Sequence, residues 1–504
     1  MSLAVVLTRA NIGIEAPLVR VEAHLSNGLP GFSIVGLPET AVKESKERVR
    51  SAILNAQLDF PDKRITINLA PADLPKSGGR YDLAIAIGIL VASGLAPAYS
   101  LADREFLGEL ALSGDIRSVN AVLPALLAAR GVKHSLVIPG ENRHEAGLVE
   151  NPHCFWAGHL LEVLGDLCGK SSLPTVRKQP DHGIAYPVDM RDIVGQHVAK
   201  RALTIAAAGG HNLLMQGPPG TGKTLLASRI PTILPLLDEK SALEVAAVRS
   251  ISAQGVSAEN WRVPPFRSPH HTASAVALVG GGSALKVGEV SMAHHGVLFL
   301  DELPEFSPKV LEAMREPLEA GEIAISRASY QVRLPAAFQL IAAMNPCPCG
   351  YLGDPDRPCR CSPDRVRQYQ SRVSGPLLDR IDLHLEVPRL NERDRAQLLT
   401  GQAGEGEYST TLREQVTGAR QRQLVRCGKI NARLSQAEIR TFCGLKPSDE
   451  NYLAGIMTRL KLSTRAYFRL LKMARTIADL DKALAISRPH LLEAVSYRFH
   501  RHQD

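Results

Sequence analysis

Eight residues constrain this chain more than any other feature: Gly217-Pro218-Pro219-Gly220-Thr221-Gly222-Lys223-Thr224. They follow an apolar run at Leu213, Leu214 and Met215 and open a stretch with helical periodicity. Strand, glycine loop and helix together form the context that a P-loop requires. The glycines let the backbone wrap closely, so successive N–H groups point at a phosphate, and the helix N-terminus adds partial positive charge. Lys223 is then placed to reach the β- and γ-phosphates, and Thr224 to offer a hydroxyl to Mg²⁺.

A phosphate cradle of this kind needs a carboxylate strand. The apolar run Val297, Leu298, Phe299, Leu300 supplies it, ending in Asp301 and Glu302. Asp301 suits Mg²⁺ held through its water shell, and Glu302 suits orientation or deprotonation of an attacking water. A further apolar run ends in Asn345, just before Pro346. Strand, loop and helix repeat from about residue 188 to 388, which implies a parallel sheet with crossover helices.

Upstream, residues 1–170 alternate short β-like runs (FSIVGL, RITINLA, SLVIPG) with helical segments at 39–58 and 122–130. The polar, proline-containing stretch 171–187 reads as a linker. From 389 to 504 only helical spacing appears, as at 463–479 and 489–501. The 504 residues suffice for about three domains. A composition of 45% hydrophobic and 22% charged residues excludes a disordered or fibrous chain. The longest apolar stretch, 83–98, is interrupted by Gly, Ser and Pro and is short for a bilayer. With no basic region ahead of the first apolar residues, the reading is a cytoplasmic protein with no membrane partner. The net charge of +8 is carried by residues 391–504, with 20 Lys and Arg against 12 Asp and Glu. That excess fits a solvated helical surface or contact with nucleic-acid phosphates.

Four of the eight cysteines crowd into NPCPCGYLGDPDRPCRCSPD: Cys347, Cys349, Cys359 and Cys361. Four thiolates fit tetrahedral, structural zinc. The Cys-x-Cys spacing is tighter than usual, and four free thiols in a loop remain the alternative. His270, His271, His294 and His295 are read as packing and hydrogen-bonding residues. Between the Asp301 and Asn345 runs, GEIAISRASYQVRLP alternates around an Ala-Ser turn and reads as a β-hairpin.

The runs FRSPHHTASAVALVGGG, GEVSMAHHGVLFLDELPEF, AAMNPCPCGYLGD, LLDRIDLHLEV and STRAYFRLLKMARTIADL resemble the ComM/YifB family. These are bacterial AAA+ ATPases related to the magnesium-chelatase ATPase subunit, and the resemblance covers essentially the whole chain. It implies an N-terminal Lon-protease-like α+β domain (1–170), an AAA+ P-loop α/β core (188–388) and a C-terminal α-helical lid (389–504). It implies ATP and Mg²⁺ as ligands, and a homo-hexameric ring that encircles DNA. Such a ring drives branch migration during homologous recombination and natural transformation, in company with a recombinase. In that family pattern Asn345 is the sensor that orients water. Arg380 is the finger reaching the neighbouring subunit's nucleotide, and Arg465 is the second sensor, with Arg469 as the fallback. A segment containing Gly280, Gly281 and Gly282 matches a helix insertion, and insertion and hairpin are both expected to face the pore. Arg327, Tyr330 and Arg333 would then grip the DNA backbone and stack on bases. In the Lon-like part, the nucleophile position falls on Arg80 and the lysine position on Leu123, so no peptidase dyad is expected. The alternatives are a magnesium-chelatase-type motor subunit and an AAA+ protein unfoldase or chaperone.

Overall fold

The computed structural model describes all residues except 1, 181–185, 253–254, 257–258, 283–285, 327–330, 401–406, 461 and 499–504, together with the side chains at 326 and 398–400. The chain forms two compact units. One gathers residues 1–184, 242–261 and 324–334; the other gathers 185–241, 262–323 and 335–504.

Period-two alternation builds the sheet of the first unit. Along β1 (Ser2–Arg9) and β2 (Leu18–Ser26), buried positions alternate with open ones. With β3 (Gly31–Val35), β4 (Arg64–Ala70), β5 (Arg104–Phe106), β6 (Ser135–Pro139) and β7 (Cys154–Ala157) they form a seven-stranded sheet in the order β3-β4-β2-β1-β5-β6-β7. β2 runs antiparallel to β1 and β4, and the other pairs are parallel. Helices α1 (Ser45–Asn55), α2 (Asp82–Ala92) and α3 (Val122–Gly131) pack around it. The apolar stretch noted in the sequence is α2, whose every residue is buried across β1 and β2. Gly88 permits that approach, since a Cβ there would stand 3.0 Å from the Cβ of Ala23. No helix among the described residues is long and apolar enough to cross a membrane.

Two inserted segments belong to this unit. Ala121 N donates to Ser250 O at 2.8 Å and Leu123 N to Ser250 Oγ at 3.4 Å. This joins the end of the helix Glu239–Ile251 to the start of α3. The strands Glu322–Ser326 and Gln331–Pro335 pair as a hairpin. Val332 and Leu334 are buried against Gly13, where an added Cβ would meet Val332 Cγ1 at 2.5 Å. Arg333, between them, is on the exposed side. The return strand thus has a covered face, which a hairpin pictured only as a pore loop does not anticipate. Arg327 and Tyr330 lie outside the described residues. Part of the stretch read as a linker is held on the edge strand β7. Trp156 N donates to Pro174 O (3.1 Å) and Val176 N to Cys154 O (2.9 Å).

The second unit is a five-stranded parallel sheet. Its strands are β8 (Leu213–Gln216), β9 (Phe266–Arg267), β10 (Val297–Leu300), β11 (Gln339–Met344) and β12 (Leu383–Glu386), in the order β9-β10-β11-β8-β12. The three central strands are buried along most of their length, as a sheet covered on both faces requires. Helices α4 (His197–Gly209) and α5 (Lys223–Ile233) flank them. Among the described residues beyond 389, every regular element is helical. There α6 (Ser409–Cys427), α7 (Thr464–Leu480) and α8 (Arg488–Ser496) share one apolar core with the sheet, running from Leu213 and Phe299 to Leu412, Leu470 and Ile477. Asp479, 1% exposed, ties α6 to α7. It accepts from both Arg426 (2.7 Å) and Arg475 (3.0 Å).

Candidate active site

The parallel register brings three chemical groups to one edge of the sheet. Gln216 lies level with Met344, and Leu300 with Ala342, so Gly217, Asp301 and Asn345 all follow the carboxyl ends of adjacent strands. In an open α/β sheet this is where a ligand crevice forms. The loop after β8 is shaped by its glycines. Gly220 (φ +77°) and Gly222 (φ +86°) take left-handed backbone with open space where a Cβ would stand. At Gly217 a Cβ would be 2.2 Å from Val387 O, so only glycine fits there. Thr221 Oγ1 donates to Pro218 O (3.0 Å) and ties the loop to itself, and Pro219 packs on Gly350.

Lys223, at the first turn of α5, is 8% exposed. Its Nζ donates to Gly217 O and Pro218 O, both at 2.8 Å, and to Asn345 Oδ1 at 3.3 Å. Burial pushes this amine below its ordinary pKa, and the charge of Asp301 opposes that shift. Thr224 Oγ1 donates to Asp301 Oδ2 at 2.6 Å. Asp301 Oδ1 accepts the Glu302 N–H at 2.9 Å. Glu302 itself stands in left-handed backbone (φ +52°), and its carboxylate is about half exposed at the crevice. Its Oε2 lies 3.2 Å from His271 Nδ1, and the His271 ring sits edge-on to the buried Phe306. The sequence suggests packing and hydrogen bonding for His271 without naming a partner. Its contact with Glu302 joins residues 31 positions apart, which no local pattern signals.

The donor set fits a magnesium nucleotide. A hydroxyl and a carboxylate meet at 2.6 Å, and both are hard oxygen donors of the kind Mg²⁺ prefers. The ammonium beside them rests on neutral acceptors that a phosphate can replace. A cavity of about 860 Å³ adjoins the loop, lined by Gln196, Val198, Gly217, Pro218, Leu352 and Pro388 among others. It is large enough for a nucleoside. Gln196 Nε2 donates to Pro388 O at 2.8 Å and closes one side. Sequence reading missed this wall, although Gly195 and Gln196 both take left-handed backbone just before α4.

The three arginines and the cysteines fall as follows. Arg380 is 8% exposed; it pairs with Glu319, and its Nη1 donates to Pro376 O at 2.7 Å. Arg469 Nη1 is committed to Asp382 Oδ1 at 3.1 Å. Burial would raise the Asp382 pKa. The His211 ring 3.6 Å away, with Arg469 and Arg498, outweighs it and holds this carboxyl well below the usual range. Arg465 is exposed on the first turn of α7 and makes no ion pair among the described residues. Beyond Asn345, the thiols of Cys347, Cys349 and Cys359 stand 3.4 to 3.6 Å apart, and Cys361 joins them with all four sulfurs within 4.8 Å. Tetrahedral zinc with Zn–S bonds near 2.3 Å needs S···S separations of about 3.8 Å. N–H groups of Arg360 and Tyr351 bring the Cys349 thiol down to about 6. His294 Nδ1 accepts from Ala337 N at 3.0 Å, a structural bond.

Comparison with known proteins agrees with this geometry. The magnesium chelatase ChlI subunit pattern matches residues 189–395, that of subunit ChlI of Mg-chelatase matches 21–142, and the ChlI C-terminal pattern matches 406–498. The chain is 51% identical to the competence protein ComM of Haemophilus influenzae over 504 residues, covering 99% of this chain and 98% of that protein. The chain belongs to the ComM/YifB family of magnesium-chelatase-like AAA+ proteins. It is also 50% identical to YifB of Escherichia coli over 500 residues, 99% of this chain and 97% of that one. Lon protease 2 of Bacillus subtilis is 29% identical over 184 residues, 32% of this chain and 33% of that one. The fold of this ComM/YifB member is accordingly a Lon-like α+β part, an AAA+ α/β core and a helical C-terminal part. In the first of these, Arg80 and Leu123 are both buried. Lys76 Nζ donates to Pro71 O while Ser77 lines a different cavity, so these two neighbours do not form a dyad.

Proposed function

We propose that this ComM/YifB protein hydrolyses ATP and works as a homo-hexameric DNA motor, driving branch migration in homologous recombination and natural transformation. The hydrolytic reading is carried by one observation: Thr224, Asp301, Lys223 and Asn345 converge on the mouth of a P-loop beside a nucleoside-sized cavity. The DNA reading is supported by the relative whose name is competence protein ComM, by the basic C-terminal region, and by Arg333 on the hairpin's exposed side.

Lys223 exchanges two carbonyls and an amide oxygen for a charged phosphate, a stronger class of hydrogen bond. That exchange frees Asn345 to orient water. Thr224 and Asp301 would hold Mg²⁺, which would supply charge neutralisation for the nucleotide phosphates. Glu302 orients the attacking water and takes its proton. His271 holds the Glu302 carboxylate until water and nucleotide are in place. Arg380 leaves Glu319 to reach the neighbouring subunit's phosphate, and Arg465 acts at the same boundary. Four cysteines hold a structural Zn²⁺ that pins the loop after Asn345. The 1–170, 171–187, 188–388 and 389–504 division describes the working parts, and a recombinase supplies the joint on which the cytoplasmic ring acts.

A second reading has its own support, because the matching patterns are all named for a magnesium-chelatase subunit. In that case a protein partner, not DNA, stimulates turnover. ATP hydrolysis measured with and without branched DNA separates the two, since a protein-directed motor ignores the DNA.

A further inference from the structure

The first unit contains a cavity of about 230 Å³ whose wall includes Asn11, Ser77, Gly79, Arg80, Glu109 and Asn120. Arg80 is 5% exposed. A guanidinium carries five N–H donors, and among the described residues one contact is made, from Nη1 to Asn120 O at a long 3.4 Å. Nε and Nη2 are buried with no acceptor among the described residues. Two acids stand near, and neither pairs with it. Glu109 packs over Gly79, where a Cβ would meet its Oε2 at 2.4 Å. The Glu145 carboxylate is engaged by Leu123 N (3.3 Å) and Asn142 Nδ2 (3.4 Å). Charged groups are almost never fully buried unless paired. A second lining residue carries an orphan: Asn11 Oδ1 is buried with no donor among the described residues. The eleven-residue helix α2 begins two residues after Arg80, which adds the positive end of its dipole.

We propose that this cavity is an oxyanion receptor. It takes a small carboxylate- or phosphate-bearing ligand whose oxygens accept from the Arg80 guanidinium, the under-satisfied cation of the lining. A planar guanidinium fork matches both anions. The site captures without cleaving, because the position that would need a nucleophile holds the cation.

Thermal unfolding of the full chain tests this at constant ionic strength in sodium chloride, sodium phosphate and sodium malonate, for wild type and Arg80→Met. Phosphate also reaches the P-loop, but equally in both proteins, so the difference between them isolates the cavity. At roughly tenfold excess over Kd, the expected Arg80-dependent rise in midpoint is about 3–6 °C. A rise in phosphate alone supports a phosphate ligand, and a rise in malonate alone supports a carboxylate. Equal shifts in the two proteins, or no shift with either anion, overturn the proposal. If Arg80→Met does not fold, wild-type crystals soaked in selenate decide. An anomalous peak within hydrogen-bond distance of Arg80 supports the site, and none there overturns it.

Discussion

The pair Arg380–Glu319 is where the ring proposal is most exposed to test. Arg380 is nearly buried while Glu319 is 60% exposed, so the bond has one desolvated and one solvated partner. Pairs of this kind are worth roughly 0.2–1 kcal/mol. Releasing the arginine by Glu319→Gln therefore raises the population free to cross to a neighbour by about 1.4- to 5-fold. The bond to Pro376 O remains and keeps the increase at the lower end. If freeing Arg380 limits turnover, kcat for ATP rises by that factor in Glu319→Gln. An arginine finger is itself worth about 10³–10⁵ in rate, so Arg380→Ala loses at least 10³-fold. The assay is steady-state phosphate release with saturating ATP and DNA, alongside nucleotide binding by each variant. A merely structural Arg380 behaves differently: Glu319→Gln then lowers the melting temperature without raising kcat. That result refutes release of Arg380 as the limiting step, and folded, ATP-binding Arg380→Ala that keeps kcat within tenfold of wild type refutes the finger assignment.

Three further outcomes follow from the same geometry. Gently purified protein carries near-stoichiometric zinc by elemental analysis; chelation or Cys347→Ser releases it and lowers the melting temperature, and absence of zinc assigns four free thiols. The Asp382 carboxyl is held below its ordinary value of 3.8, so its share of stability is present above that pH and lost as pH falls below it. Asp382→Asn is expected to be less stable than wild type at neutral pH and to lose less on acidification, which urea midpoints at pH 7 and pH 3 measure. Arg327→Ala combined with Arg333→Ala keeps ATP binding but loses DNA unwinding, and unchanged unwinding removes the pore contacts from the account.

The nucleotide crevice was legible because its parts are local. An apolar strand, a glycine loop and a helix follow one another within 21 residues, 213–233, and each carboxylate or amide of the crevice comes directly after an apolar run. The parallel register then does the rest without further information from the side chains. What stayed hidden joins residues far apart in the chain. Glu319 lies 61 positions from Arg380, and His271 lies 31 positions from Glu302. Arg469, the fallback to Arg465 one turn earlier, is claimed by Asp382, which also stands 3.6 Å from His211. In the hairpin, alternation gives the two strands, but only the fold shows that Val332 and Leu334 form a face covered at Gly13. The polar stretch read as a linker carries no apolar signal, because its hold on β7 comes from backbone hydrogen bonds that any residue can make.

The most direct measurement is the ATP turnover of wild-type protein and Glu302→Gln, with and without a four-way DNA junction, on material whose mass in solution is determined under the same conditions. The account predicts a nucleotide-dependent hexamer, turnover that rises several-fold with the junction, and a variant that assembles and binds ATP yet does not hydrolyse it. A protein that stays monomeric with ATP and junction present, and turns over ATP at one rate whether or not DNA is added, contradicts it.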